Sequence, residues 1–134
     1  MDYGLINLEV LEKHELAMRC RVLDGGMLKS KRHVNLPGVR VNLAAITNKD
    51  RKDILFGTEN DVDYIALSFV REASDILQLK ELLGSKQNKI KIIAKIEDQE
   101  GLDNLESILN EVEGIMVARG DLGVEVPVHT IPNL

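Results

Sequence analysis

Tryptophan is absent from this sequence, and aromatic residues make up only 3% of its 134 positions. A core must therefore be aliphatic, built from Ile, Leu, Val and Ala. Cysteine occurs once, at Cys20. One thiol cannot close an internal disulfide, and neither a CxxC pair nor a histidine cluster gives zinc-ligand spacing. A reducing, cytoplasmic compartment is the expectation. Cys20 has no base nearby in the sequence and reads as a core residue rather than a nucleophile. His14, His33 and His129 are scattered and receive no role. No block of Lys and Arg stands out against a net charge of −5, which argues against a nucleic-acid groove. The longest apolar runs, such as residues 64–67, are far too short to span a bilayer, so no membrane role is expected. The opening Met1-Asp2-Tyr3-Gly4 is acidic and turn-like, unlike a signal peptide.

What is present is ordinary for a soluble globular chain: 44% apolar and 29% charged residues. The length suits one domain or part of a larger one; a complete α/β barrel takes about 250 residues.

Residues 1–43 read as β structure. Leu5-Ile6-Asn7-Leu8-Glu9-Val10 and Leu16-Ala17-Met18-Arg19-Cys20-Arg21-Val22 alternate roughly with the period of a half-buried strand. Asp24-Gly25-Gly26 is a turn signal, residues 27–35 suggest a further short strand with a basic patch, and Leu36-Pro37-Gly38 breaks regular structure. Beyond residue 44 the period changes. Thr47 is placed as an N-cap with Asp50 three residues on, starting a helix that runs to Glu59. Residues 64–70 form a nearly continuous apolar run, the pattern of a parallel strand buried on both faces. A helix over 74–83 follows, with Gly84 placed for a left-handed C-terminal cap. A strand over 90–97, a helix over 100–111, a strand over 114–118 and the glycine-rich turn Arg119-Gly120-Asp121-Leu122-Gly123 complete the pattern. Alternating helices and strands imply a parallel sheet with crossover helices.

The polar residues that interrupt these strands lie at their C-terminal ends, where βα folds build active sites. Lys95 and Glu97 stand two apart and share a strand face, about 6.6 Å of rise separating them. Taken alone, such a pair is also what a solvated strand end looks like. Asp121, in the turn after the neighbouring strand, adds a second carboxylate to Glu97. Mg²⁺ is typically held by one or two carboxylates, with substrate oxygens and water completing the octahedron. A lysine beside it can stabilise charge on a transferring phosphoryl group or an enolate. Gly120 and Gly123 let backbone approach an anion. The bland alternative for Arg119-Gly120-Asp121 is a turn with a surface ion pair, and the same tripeptide is an adhesion motif in extracellular proteins. Following a buried strand in a cytoplasmic chain, adhesion is a poor fit. Ser68 could donate into the same mouth or simply fill a narrow position. Lys31 and Arg32 could meet nucleotide phosphates or form a solvated face.

Ile93-Ala94-Lys95-Ile96-Glu97-Asp98-Gln99-Glu100-Gly101 resembles the pyruvate kinase strand carrying the catalytic Lys and a metal-binding Glu. Gly114-Ile115-Met116-Val117-Ala118-Arg119-Gly120-Asp121-Leu122-Gly123-Val124-Glu125 resembles that family's next strand and loop. The shorter segments Val34-Asn35-Leu36-Pro37-Gly38 and Asp63-Tyr64-Ile65-Ala66-Leu67-Ser68-Phe69-Val70 resemble family segments in the same order. The resemblance implies a partial (β/α)8 TIM barrel: residues 1–43 as the second half of an inserted β lid domain, and 44–134 as the central part of the barrel. It implies phosphoryl transfer between phosphoenolpyruvate and ADP, giving pyruvate and ATP in glycolysis. Mg²⁺, for which Mn²⁺ can substitute, is the implied cofactor, with K⁺ bound by ligands outside this chain. The parent is implied to be a homotetramer. On the same basis Lys95 is the transition-state stabiliser, and Glu97 and Asp121 bind the metal. Gly120 and Asp121 hold substrate through their backbone, Ser68 lines the substrate site, and Arg32 stands where the family usually has a nucleotide-binding Lys. Tyr3, His33 and Ala44 depart from the residues usual in the family. Because part of the implied barrel is missing, the isolated chain is expected to be inactive. Two alternatives stand beside this reading: a Mg²⁺-dependent carbon–carbon lyase barrel, and a non-catalytic self-associating fragment.

Overall fold

The computed structural model describes residues 4–32, 34–36, 39 and 43–126. Tyr3, His33, Pro37, Gly38 and His129, with the readings attached to them, lie outside the described residues. The chain divides into two compact units, Met1–Pro37 and Gly38–Leu134.

In the first unit, β1 (Asn7–Lys13) and β2 (Met18–Asp24) pair antiparallel. The His14 amide donates to the Ala17 carbonyl at 2.8 Å and closes the connecting turn. Glu9 stands opposite Arg21 with a 2.9 Å ion pair, and Glu12 opposite Arg19 makes another. Such exposed cross-strand pairs contribute roughly 0.2–1 kcal/mol each, so they choose register more than they supply stability. Among the described residues of this unit Ile6 is the one buried apolar side chain. It packs so close to Gly26 that a Cβ there would lie 3.2 Å from its Cγ1. The expected strand over 27–35 does not form among the described residues of that stretch. Lys31 adopts φ 58°, a left-handed turn conformation that an extended run cannot contain.

The second unit has a three-stranded parallel sheet in the order β3 (Tyr64–Leu67), β4 (Lys91–Ile96), β5 (Gly114–Val117). Before it comes α1 (Asn48–Glu59). Helix α2 (Ala73–Leu83) and a single 3₁₀ turn connect β3 to β4. Helices α3 (Gln99–Asp103) and α4 (Leu105–Leu109) connect β4 to β5, and α5 (Arg119–Glu125) follows. Ile92, Ala94 and Ile96 of β4 are buried together with Ile76 and Leu79 of α2 and Ile108 of α4. Strand side chains alternate, so the remaining β4 residues face the other way. On that face Tyr64 pairs with Lys91, whose ammonium lies 5.6 Å from the ring centroid, and Lys95 pairs with Met116. Tyr64 and Met116 are 55% and 46% exposed. The expectation of a strand buried on both faces therefore holds for one face only.

The N-cap of α1 forms as expected: the Thr47 hydroxyl accepts from the Asp50 amide at 3.2 Å, and the Thr47 amide donates to the Asp50 carboxylate at 2.8 Å. Four other expectations are corrected. Strand β3 stops at Leu67 rather than Val70, because Phe69 turns to φ 52°. Gly84 has a positive φ of 53° but ψ −123°, leading into the 3₁₀ turn instead of a left-handed cap. The helix expected over 100–111 is two short helices, broken at Asn104. The expected turn at residues 119–123 is the start of α5.

Two outcomes follow for α1. Thr47→Ala is expected to lower the stability of the chain by about 1 kcal/mol, read from the denaturant midpoint. The Thr47 hydrogen bonds hold the Asp50 carboxyl below its usual value of 3.8. A depressed folded-state pKa adds stability above the unfolded value and loses it as pH falls through the folded one. The stability gap between the parent chain and Asp50→Asn should therefore be constant above pH 3.8 and close below it.

Candidate functional site

The C-terminal edge of the parallel sheet brings together Lys95, Glu97 and Ser68. Because Ile92, Ala94 and Ile96 occupy the helix-packed face, alternation turns Lys95 and Glu97 to the opposite one. The Lys95 ammonium lies 2.6 Å from Glu97 Oε1 and donates to Ser68 Oγ at 3.1 Å. Ser68 stands just past the end of β3, so neighbouring strands meet at one ammonium group.

Glu97 is 2% exposed, while the Lys95 side chain is 26% exposed. Burial of a carboxylate without compensation costs several kcal/mol, and here the counter-charge is the ammonium. At 2.6 Å the contact is a close, charge-assisted ion pair, and it compensates the buried carboxylate. A carboxylate oxygen is the ligand type that a hard divalent cation takes.

Asp121 lies in the first turn of α5, its amide donating to Ala118 O at 3.1 Å. The Ala118 amide in turn donates to Ile96 O at 3.1 Å, extending the β4–β5 ladder to the residue before Glu97. Glu97 and Asp121 thus leave adjacent strands at the same edge of the sheet. Among the described residues no group of three or more His, Cys, Asp or Glu side chains converges as a metal cage. A divalent ion here would rely on these two carboxylates plus oxygens from substrate and water, the pattern usual for Mg²⁺. At Gly120 an added Cβ would meet nothing within 4 Å. Among the described residues the local packing therefore gives no reason for glycine. Arg32 belongs to the first unit and is exposed. The contacts of Lys95 with Glu97 and Ser68 lie within the second unit.

The sequence reading missed residues that shape this edge. Asp98 caps α3, accepting from the Gly101 amide at 2.8 Å. Asp75 is buried and accepts from the amides of Arg71 and Glu72 at 2.9 and 3.3 Å. Acidic residues at helix starts signal both positions. Asn104 donates to Arg71 O at 2.9 Å, and nothing in the local pattern announces it.

The buried pair makes a prediction independent of catalysis. Lys95→Met is expected to destabilise the chain by about 1–3 kcal/mol, because it strands the Glu97 charge. Adding Glu97→Gln should recover part of that loss. Equal unfolding midpoints for the single and double variants would show that the ammonium does not compensate the carboxylate.

The whole chain, residues 1–134, matches the family model described as "Pyruvate kinase, barrel domain". It is 53% identical over 135 residues to a pyruvate kinase of Staphylococcus haemolyticus (strain JCSC1435) and to one of Geobacillus stearothermophilus, covering 98% of this chain and 23% of each relative. A pyruvate kinase of Clostridium perfringens (strain 13 / Type A) is 46% identical over 133 residues, 98% of this chain and 28% of the relative. The chain thus spans about a quarter of the length of these curated relatives. With a family match along its full length and 53% identity over nearly the whole chain, the chain belongs to the pyruvate kinase family, as a segment of its barrel-domain region.

Proposed function

We propose that this chain is the metal and phosphoryl-transfer section of a pyruvate kinase, which moves a phosphoryl group from phosphoenolpyruvate to ADP to yield pyruvate and ATP. The observation that carries the proposal is the buried Glu97 carboxylate held 2.6 Å from the Lys95 ammonium at the strand ends. Family membership supports this reaction class over the lyase alternative.

In this reading Glu97 and Asp121 hold Mg²⁺, or Mn²⁺ in its place. The ion, when bound, neutralises charge on the transferring phosphoryl oxygens. Lys95 places a positive charge where negative charge builds up, and low exposure makes that charge more effective than it would be in water. Ser68 accepts a hydrogen bond from the ammonium and limits its orientations. The absence of a Cβ at Gly120 lets a substrate carboxylate come close to the backbone of Gly120 and Asp121. Arg32 faces nucleotide phosphates, and K⁺ is bound by residues outside this chain. Residues 1–43 are then the second half of the inserted lid, and 44–134 the centre of a partial TIM barrel. The parent works as a cytoplasmic homotetramer that binds neither nucleic acid nor membrane. Among the described residues no helix is long and apolar enough to cross a membrane.

The test is an exchange. Residues 1–134 replace the matching stretch of the Geobacillus stearothermophilus pyruvate kinase, and ADP-dependent pyruvate formation is followed in a coupled assay. The exchanged enzyme should turn over, while Glu97→Gln in it should cut turnover by about 100-fold or more. Normal turnover with Glu97→Gln removes the metal role. The 134-residue chain alone should form no pyruvate; ADP-dependent product from it would show that the metal half suffices.

A further inference from the structure

The loop between β3 and α2 carries Ser68 and is tied down at several backbone polar groups. The Val70 amide donates to Lys95 O at 3.3 Å. The Arg71 amide donates to the buried Asp75 carboxylate, and the Arg71 carbonyl accepts from Asn104 Nδ2 at 2.9 Å. The Arg71 guanidinium donates to Leu43 O. At Gly101 an added Cβ would lie 2.6 Å from Val70 O, so only glycine lets the α3 backbone come this close. Between these anchors sits Phe69 at φ 52°. Left-handed backbone costs a bulky residue about 1–3 kcal/mol and persists only where surroundings over-determine it.

Lys95 therefore meets this loop twice: its carbonyl receives Val70 N, and its ammonium donates to Ser68 Oγ. The far side of the loop is held by the break between α3 and α4. The amide of Asn104 donates to Glu100 O at 3.1 Å, and its carbonyl accepts from Ile108 N at 3.1 Å. The break therefore keeps its helical hydrogen bonds while the side chain is directed to Arg71.

We infer that Asn104 is a positioning residue for phosphoryl transfer: through the Arg71 carbonyl it sets the Ser68–Phe69 turn, which in turn aims the Lys95 ammonium, with Gly101 fixing the distance. Asn104 touches neither substrate nor metal and acts only through Lys95. The inference rests on the catalytic reading of Lys95.

The test uses the exchanged enzyme described above, after that enzyme and its Glu97→Gln variant have established that reading. Asn104→Ala is expected to lower kcat about tenfold or more, since displacements near 1 Å at a reacting group can cost about 100-fold. KM for ADP should stay within about twofold, as it does not depend on the ammonium's aim. Gly101→Ala, which pushes Val70 O directly, should give the same split. The deciding measurement is a double-variant cycle with Lys95→Met. Where the ammonium is gone there is nothing left to aim, so Asn104→Ala should cost no further activity in that background. An equal loss in both backgrounds, a loss that only tracks the folded fraction, or unchanged kcat overturns the inference.

Discussion

Parallel pairing of β4 with a strand on each side is the constraint on which the second unit depends. Ala94 pairs with Leu67 on one neighbour and with Ile115 on the other. That register sends Ile92, Ala94 and Ile96 into the helix-packed core. A slip of one residue would exchange the faces. Lys91, Ile93, Lys95 and Glu97 would enter the aliphatic layer, and the two buried isoleucines with Ala94 would leave it. The cost of burying those charges among Leu and Ile side chains makes the register unambiguous. The same alternation that builds the core delivers an ammonium and a carboxylate to the sheet's polar edge.

That edge is where the unit stores its least comfortable charge. Glu97 is almost wholly removed from water, and the Lys95 ammonium 2.6 Å away compensates its charge. Replacing such a pair by apolar groups is often neutral or stabilising, so folding alone gives little reason to keep it. The cation-binding role proposed for Glu97 gives such a reason, because a carboxylate is a ligand that hard cations take. The neighbouring loop supports this arrangement with ordinary means. Asp75 takes two amides, Gly101 permits close backbone approach, and Asn104 takes a carbonyl. Each anchor lies on an element packed in the aliphatic core or directly after one. The rigidity of that core, with Ile76, Leu79 and Ile108 fully buried, is thereby passed to the polar edge.

Much of this was legible before any coordinates. Apolar runs at 64–70, 90–97 and 114–118 locate β3, β4 and β5 to within three residues, and Thr47 with Asp50 announces the start of α1. Lys95 and Glu97 stood out because charges two apart at the end of an apolar strand are conspicuous. The misreadings have local causes. Gly120 and Gly123 suggested a turn, yet α5 forms across them, since two glycines weaken a short helix by only about 1 kcal/mol each. The apolar stripe over 100–111 suggested one helix, and periodicity is blind to a break that keeps its backbone hydrogen bonds, as at Asn104. The supposed strand over 27–35 carries polar and basic residues with no partner strand among the described residues, and alternation alone does not make a ladder.

Residue order by itself determined the alternation of helices and strands, the aliphatic composition of the core, and the placement of Lys95, Glu97 and Asp121 at strand ends, because these follow from periodicity and spacing along the chain. Tertiary structure alone decided which oxygen the Lys95 ammonium approaches, that Glu97 loses its water while Lys95 keeps part of its own, that Phe69 turns left-handed, and that Asn104 reaches Arg71. Burial and side-chain partnership depend on residues distant in sequence meeting in space, and no local pattern encodes that meeting.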